Sequence, residues 1–254
     1  MKKLRILLAD DHEIVRRGLV AIVKAHSDWQ VCAECNNGID AVKRARELKP
    51  DIAILDIGMP MLNGFETTRQ ILRDNPEVKV LILTLNDSAE IIRVVLNEGA
   101  RGFILKSDAA RDLISAVEAL QQNRTFFTSR VSHLVLDGYL GKASMVEVKF
   151  STRGLTARER EIVQLLAEGK SSKEVACVLN LSVKTAETHR SNIMRKLGVH
   201  SVSELVLYAV RNNMVQVTPF LAQSKAQGTH ETLLAREAER GSPYQEVSLS
   251  TSSE

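Results

Sequence analysis

Apolar positions follow two rhythms along this chain. Through the first 120 residues, runs at 4–9, 30–36, 52–55, 78–84 and 102–105 are short, apolar and often β-branched. Such runs predict strands. Between them lie segments with helical spacing. Residues 12–26 put Val15, Leu19, Ile22 and Val23 on one side and Arg16, Arg17 and Lys24 elsewhere, and 38–48, 64–75, 88–98 and 108–122 behave alike. Strands alternating with helices predict a parallel sheet covered on both faces. Right-handed crossovers then make a doubly wound α/β domain the economical topology.

Past residue 122 the pattern changes. Residues 123–154 read as a linker in which 131–140 could form a helix, and 155–215 are purely helical. Helix starts are marked by Thr156 with Glu159, Ser171 with Glu174 and Ser201 with Glu204, each at capping-box spacing, and by Ser182. Gly169, Asn180 and Gly198 stand where a left-handed residue closes a helix. Four short helices result, an all-α second domain. From 216 to 254 the chain drifts to Gln, Ser, Thr, Ala and Glu, the composition of a disordered tail.

Composition narrows the setting. Hydrophobic residues make up 44% and charged residues 26% of 254 positions, as in a globular protein in water. No run approaches the roughly 18 apolar residues of a membrane span. Asp10 and Asp11 cut short the apolar run after the basic start, so no signal peptide is expected and the cytoplasm is the expected compartment. Net charge is −1 over residues 1–122, +3 over 123–154, +3 over 155–213 and −2 beyond. The positive excess weakly favours an anionic partner for the second half. Three cysteines, an odd count, suit a reducing compartment. Cys32 and Cys35 form a C-x-x-C inside an expected strand, whose odd spacing sends the thiols to opposite faces, so a structural role is expected.

Ligands of an open parallel sheet bind at the carboxyl ends of its strands. There the chain carries Asp10 and Asp11, then Asp56, then Thr84, then Lys106. Crowded carboxylates repel unless a cation intervenes, and hard oxygens on a shallow rim suit Mg2+. Asp56, leading into the turn Ile57-Gly58-Met59-Pro60, is best placed as a nucleophile toward a phosphoryl group. Lys106 would neutralise phosphoryl oxygens and the Thr84 hydroxyl could bond one. Individually these residues have plainer readings: Asp10 could cap the first helix, Lys106 could be a solvated lysine, and Thr84 an ordinary strand residue. Capping does not explain Asp56, and their convergence on one rim favours the site.

With those residues assembled, 1–122 resembles a response-regulator receiver domain, a flavodoxin-like fold phosphorylated by a sensor histidine kinase. The likeness rests on Leu7-Leu8-Ala9-Asp10-Asp11-His12, on 55–64 (Leu55-Asp56-Ile57-Gly58-Met59-Pro60-Met61-Leu62-Asn63-Gly64), on Leu83-Thr84 and on Gly102-Phe103-Ile104-Leu105-Lys106. The resemblance implies Asp56 as phosphoacceptor. It also implies Mg2+ on Asp11, Asp56 and the Gly58 carbonyl with Asp10 in support, and Thr84 and Phe103 as a switch pair. Ser107 departs from the proline that many receivers carry there.

In the second domain, a helix at 171–179 and a tight turn lead into a helix at 182–197, a helix-turn-helix arrangement. The latter turns Ala186, Ile193, Met194 and Leu197 inward. Lys184, Thr188, Ser191 and Arg195 fall on one outer stripe, widened by Thr185, Glu187, Arg190, Asn192 and Lys196. Such a face can read a major groove, and periodicity alone equally allows a solvated bundle helix. Residues 155–159 (Leu155-Thr156-Ala157-Arg158-Glu159), Gly169, Glu174-Val175-Ala176 and 182–190 (Ser182-Val183-Lys184-Thr185-Ala186-Glu187-Thr188-His189-Arg190) are similar to the LuxR-type output domain. With the receiver, the chain resembles the NarL/FixJ family. That resemblance implies Lys184, Thr185, Glu187, Thr188 and Ser191 facing bases, and Lys173, Arg190, Arg195 and Lys196 on phosphates. It also implies a homodimer on promoter DNA, pairing through 201–213, with RNA polymerase as a possible partner. A regulator and not an enzyme is therefore expected. The alternative is an aspartate-nucleophile phosphatase, which usually carries a second Asp where Gly58 stands.

Overall fold

Strands β1 (Leu4–Ala9), β2 (Trp29–Cys35), β3 (Ile52–Asp56), β4 (Lys79–Thr84) and β5 (Gly102–Leu105) alternate with helices α1 (Glu13–Ala25), α2 (Gly38–Leu48), α3 (Gly64–Asp74), α4 (Ala89–Asn97) and α5 (Ala109–Gln121). A two-residue strand, β6 (Phe126–Phe127), follows. This computed structural model describes residues 3–85, 88–128, 131 and 154–215. The tail from 216 and nearly all of the expected helix at 131–140 lie outside them.

All strand pairs are parallel, in the order β2-β1-β3-β4-β5-β6. The first five follow the flavodoxin-like order, with its switch point between β1 and β3. Side chains of alternate parity leave the sheet on opposite faces and build two cores. Leu7, Ala53, Leu55, Val80, Ile82 and Phe103 pack with residues of α2, α3 and α4. Ile6, Leu8, Ile52, Ile54, Leu81 and Leu83 pack with residues of α1 and α5. Burial on both sides is why these strands read as continuous apolar runs.

Two sequence expectations change here. The sheet gains β6, hydrogen-bonded along β5, so regular structure continues past residue 122. The cysteines do not part. The register steps from Ile6 opposite Val31 to Leu7 opposite Ala33, leaving Cys32 as an extra bulged residue. The bulge cancels one alternation, so Cys32 and Cys35 both touch the core beneath α2. Burial raises both thiols above their ordinary pKa, Cys35 to about 11, opposite to what a reactive pair needs.

Among the described residues from 154 to 215 there are four helices: α6 (Ala157–Ala167), α7 (Ser172–Val178), α8 (Val183–Leu197) and α9 (Val202–Arg211). Capping boxes close at Thr156 with Glu159 and at Ser171 with Glu174. Ser201 caps α9, but Glu204 reaches back to the His200 N–H at 2.8 Å and not to Ser201, so that box is half formed. Asn180 and Gly198 take positive φ of 51° and 66° as their helix ends require. Leu155, Ile162, Leu165, Leu166, Val175, Ala186, Ile193 and Leu205 form the core of this bundle. Ile39 of α2 and Met61 also pack against it, and the described residues up to 215 belong to one compact unit.

Candidate functional site

The carboxyl ends of β1, β3, β4 and β5 bring Asp10, Asp56, Thr84 and Lys106 to one rim. Asp10, Asp56 and Thr84 are buried, at 1%, 3% and 0% exposure. The Lys106 ammonium lies 2.9 Å from Asp10 Oδ2 and 3.0 Å from Asp56 Oδ2. Asp11 stands at the mouth, with the His12 Nδ1 2.7 Å from its Oδ1. Ligand atoms of Asp10, Asp11, His12 and Asp56 all lie within 4.8 Å of one another. Helix α1 starts at Glu13 with His12 as its cap residue, whose own side chain makes no capping bond. Asp10 Oδ1 accepts from the His12 N–H at 2.8 Å and its other oxygen faces Lys106, which rules out a plain helix cap.

One ammonium facing two buried carboxylates leaves a charge deficit. Burial pushes the Asp56 carboxyl up to about 6, helped by Asp10 and opposed by Lys106 and the Gly58 N–H. Asp10 Oδ2 and Asp56 Oδ2 are buried without a well-aligned hydrogen bond, although both lie near the ammonium. Two buried carboxylates sharing one ammonium, beside the accessible Asp11, fit a hard divalent cation. Phe103 and Thr84 are both wholly buried on the neighbouring strands β5 and β4, where Phe103 pairs with Ile82 and Thr84 with Leu105.

The chain leaving Asp56 is pinned at both ends. The Gly64 N–H donates to Ile57 O at 3.0 Å, and a Cβ on Gly64 would fall 2.3 Å from Asp56 O. Only glycine allows α3 to start that close to the acidic residue. Between these points Met61 adopts φ 65°, and Asn63 caps α3 by accepting from the Glu66 N–H at 3.0 Å.

On α8, Ala186 and Ile193 are buried, Leu197 is partly buried against the bundle core, and Met194 is half-buried. Lys184, Glu187, Thr188, Ser191, Asn192, Arg195 and Lys196 are exposed, as is Lys173 on α7. Thr185 and Arg190 are half-buried, and the Thr185 hydroxyl shares a 2.7 Å bond with the capping Ser182. Lys196 is held 2.8 Å from Glu159 of α6, so its charge is partly neutralised. The outer stripe is thus open to a ligand. Periodicity found it, since helical spacing alone fixes which residues share a face.

Sequence reasoning missed two groups. His12 joins the acidic cluster because α1 begins one residue after it. Gln164 is 2% exposed within the apolar run 162–166, and a lone amide in such a run was the available signal. Leu207 and Val202 on α9 are 54% and 39% exposed, an apolar surface on that helix.

Comparison with known proteins agrees with this architecture. Residues 6–118 match the response regulator receiver domain, and 153–209 match the bacterial regulatory proteins of the luxR family. The response regulator protein VraR of Staphylococcus saprophyticus is 34% identical over 213 residues, 84% of this chain and 99% of that one. The oxygen regulatory protein NreC of Staphylococcus epidermidis is 36% identical over 217 residues, 84% and 100% of the two chains. Among solved structures, an RcsB response regulator of Salmonella typhimurium aligns with a TM-score of 0.51 at 29% identity, covering 82% of this chain and 98% of that one. A structure of two RcsB dimers bound to two parallel DNAs aligns with a TM-score of 0.51 at 28% identity, over 83% and 99%. No described helix is long and apolar enough to cross a membrane. A doubly wound receiver with its acidic rim, followed by a helix-turn-helix bundle, is therefore a member of the NarL/FixJ family of DNA-binding, transcription-regulating response regulators.

Proposed function

We propose that Asp56 is the phosphoacceptor of this regulator and that its charge state governs how α8 engages promoter DNA. The observation that carries this is the pair of buried carboxylates sharing one lysine, beside an accessible Asp11. Division into a receiver at 1–122, a linker at 123–154, a DNA-binding domain at 155–215 and a tail at 216–254 goes with this reading.

An Asp56 oxygen attacks the phosphorus of a phosphohistidine on a sensor kinase, and the P–N bond breaks to leave an acyl phosphate. Lys106 balances charge on the new phosphoryl oxygens, and the Thr84 hydroxyl donates to one of them. Mg2+, held by Asp11, Asp56 and the Gly58 carbonyl with Asp10 behind them, would neutralise phosphoryl charge when bound. Thr84 and Phe103 carry the change into the fold, a local charge event biasing a two-state element. Lys184, Thr185, Glu187, Thr188 and Ser191 read base edges while Lys173, Arg190, Arg195 and Lys196 hold phosphates. Two copies pair through α9 on adjacent half-sites, as the exposed Leu207 favours. RNA polymerase is the partner through which such a complex acts on transcription. The chain works in the cytoplasm and turns over no substrate of its own.

Incubation with Mg2+ and a small radiolabelled acyl phosphate should label the wild type and leave Asp56→Asn unlabelled. Equal labelling of both would reject the site. Lys184→Ala and Thr188→Ala should weaken specific DNA binding by about 1–3 kcal/mol each. Wild-type binding by both would reject the assigned face.

A further inference from the structure

The bundle holds the segment that follows Asp56 through a buried amide and a neighbouring carboxylate. Gln164 of α6 donates from Nε2 to Met59 O at 3.1 Å and accepts at Oε1 from the Asn63 N–H at 2.8 Å. Its Nε2 also donates to Glu168 Oε1 at 2.8 Å, and that carboxylate accepts from the Met61 N–H at 2.9 Å. The Asn63 side chain, which caps α3, donates to Met214 O at 3.1 Å. Three backbone atoms of the segment between Asp56 and Gly64 are therefore held by the second half of the chain. Gly58, whose carbonyl the proposed cation uses, lies within that segment. Gln164 and Glu168 line the same 170 Å³ cavity as Asp11 and Gly58.

The segment has little slack. Gly64 is jammed against the Asp56 backbone at one end, and the middle hangs on the side chains of α6 and its C-terminal turn. Moving those side chains must move the segment, because its ends are fixed. This docking leaves the outer stripe of α8 exposed. Its effect is thus directed at the acidic site and does not come from covering the DNA-reading face.

We propose that Gln164 and Glu168 are positioning residues for the acidic site, holding the 57–63 segment so that a divalent cation binds and Asp56 is phosphorylated efficiently. The inference rests on the phosphoacceptor reading above. Linkage makes it reciprocal: what the latch adds to cation affinity, a bound cation adds to the latch. The Glu168 charge acts in the same direction as the hydrogen bonds, since it stands on the wall of a cavity that would hold a cation.

The test uses the full chain and Mg2+ alone, titrated by calorimetry, followed by phosphorylation with a small acyl phosphate at varied Mg2+. Gln164→Met and Glu168→Ala should each raise the Mg2+ Kd three- to tenfold, with the rate recovering at saturating Mg2+. Glu168→Gln, which keeps an oxygen for the Met61 N–H, should lie between Glu168→Ala and wild type. Gln70→Met is the control. It breaks another bond between the two halves, Gln70 Nε2 to Glu161 Oε1 at 2.8 Å, away from the segment, and should leave the Kd unchanged. Wild-type Kd in both Gln164→Met and Glu168→Ala overturns the proposal, as does an equal shift in Gln70→Met. Should Gln164→Met fail to fold, the Glu168 pair and the control still decide it. A wild type that neither binds Mg2+ nor labels at Asp56 would instead sink the phosphoacceptor reading.

Discussion

Replacing Asp56 with Asn removes one of two carboxylates buried against a single ammonium, and the structure sets the size of the effect. The carboxyl is raised from 3.8 to about 6, chiefly by burial. A raised carboxylate is protonated more readily in the folded than in the unfolded chain, so its ionisation costs stability. That cost is absent below the unfolded pKa near 4, grows as pH rises toward 6 and is complete at pH 7. Each tenfold change in proton affinity corresponds to about 1.4 kcal/mol, so the ionised group costs about 3 kcal/mol at neutral pH. The asparagine side chain keeps an oxygen for Lys106 and has no charge to bury, so Asp56→Asn should be more stable than wild type by up to about 3 kcal/mol. In a melt without divalent ions this corresponds to roughly 6–12 °C for a compact unit of this size. The gap should vanish near pH 4. Mg2+ at a hundredfold excess over its Kd should stabilise the wild type by about 2.7 kcal/mol and the variant far less. Urea unfolding at pH 4, 5, 6 and 7, with and without Mg2+, measures all three arms. A variant no more stable than wild type at pH 7, or a gap independent of pH, would refute the charge-deficit account.

Lys106→Ala leaves Asp10 and Asp56 facing each other without a counter-ion and should cost about 3–5 kcal/mol in metal-free buffer, a loss that Mg2+ partly reverses in urea unfolding. Gly64→Ala would drive a Cβ to 2.3 Å from Asp56 O, so it should lower stability by about 1–3 kcal/mol and slow Asp56 labelling. Leu207→Ser removes an exposed side chain and should change stability by less than about 0.5 kcal/mol. The same variant should weaken the two-copy DNA complex, read as lost cooperativity in a gel-shift titration.

Much of the receiver was legible because its signals are local. Alternating runs and helical spacings located five strands and five helices to within a residue or two at each end. Hydroxyl caps and left-handed closers did the same for the bundle, with Ser201 and Glu204 the instance where matching spacing did not complete the box. The acidic residues were legible through topology, since a parallel sheet gathers the ends of its strands on one rim. The cysteines misled because a bulge is a register event, set by pairing with β1 and not by β2 alone. β6 was missed because two residues carry no periodicity.

The sequence by itself determined the alternation of elements, the helix boundaries, the rim that collects Asp10, Asp11, Asp56 and Lys106, and the outward stripe of α8. These follow from covalent order and the two side-chain periods, which need no knowledge of distant contacts. Tertiary structure alone decided that Asp10 faces Lys106, that Cys32 and Cys35 share one core, and that Gln164 reaches the segment beside Asp56. Each depends on atoms far apart in the chain meeting within about 3 Å, the range over which hydrogen bonds act.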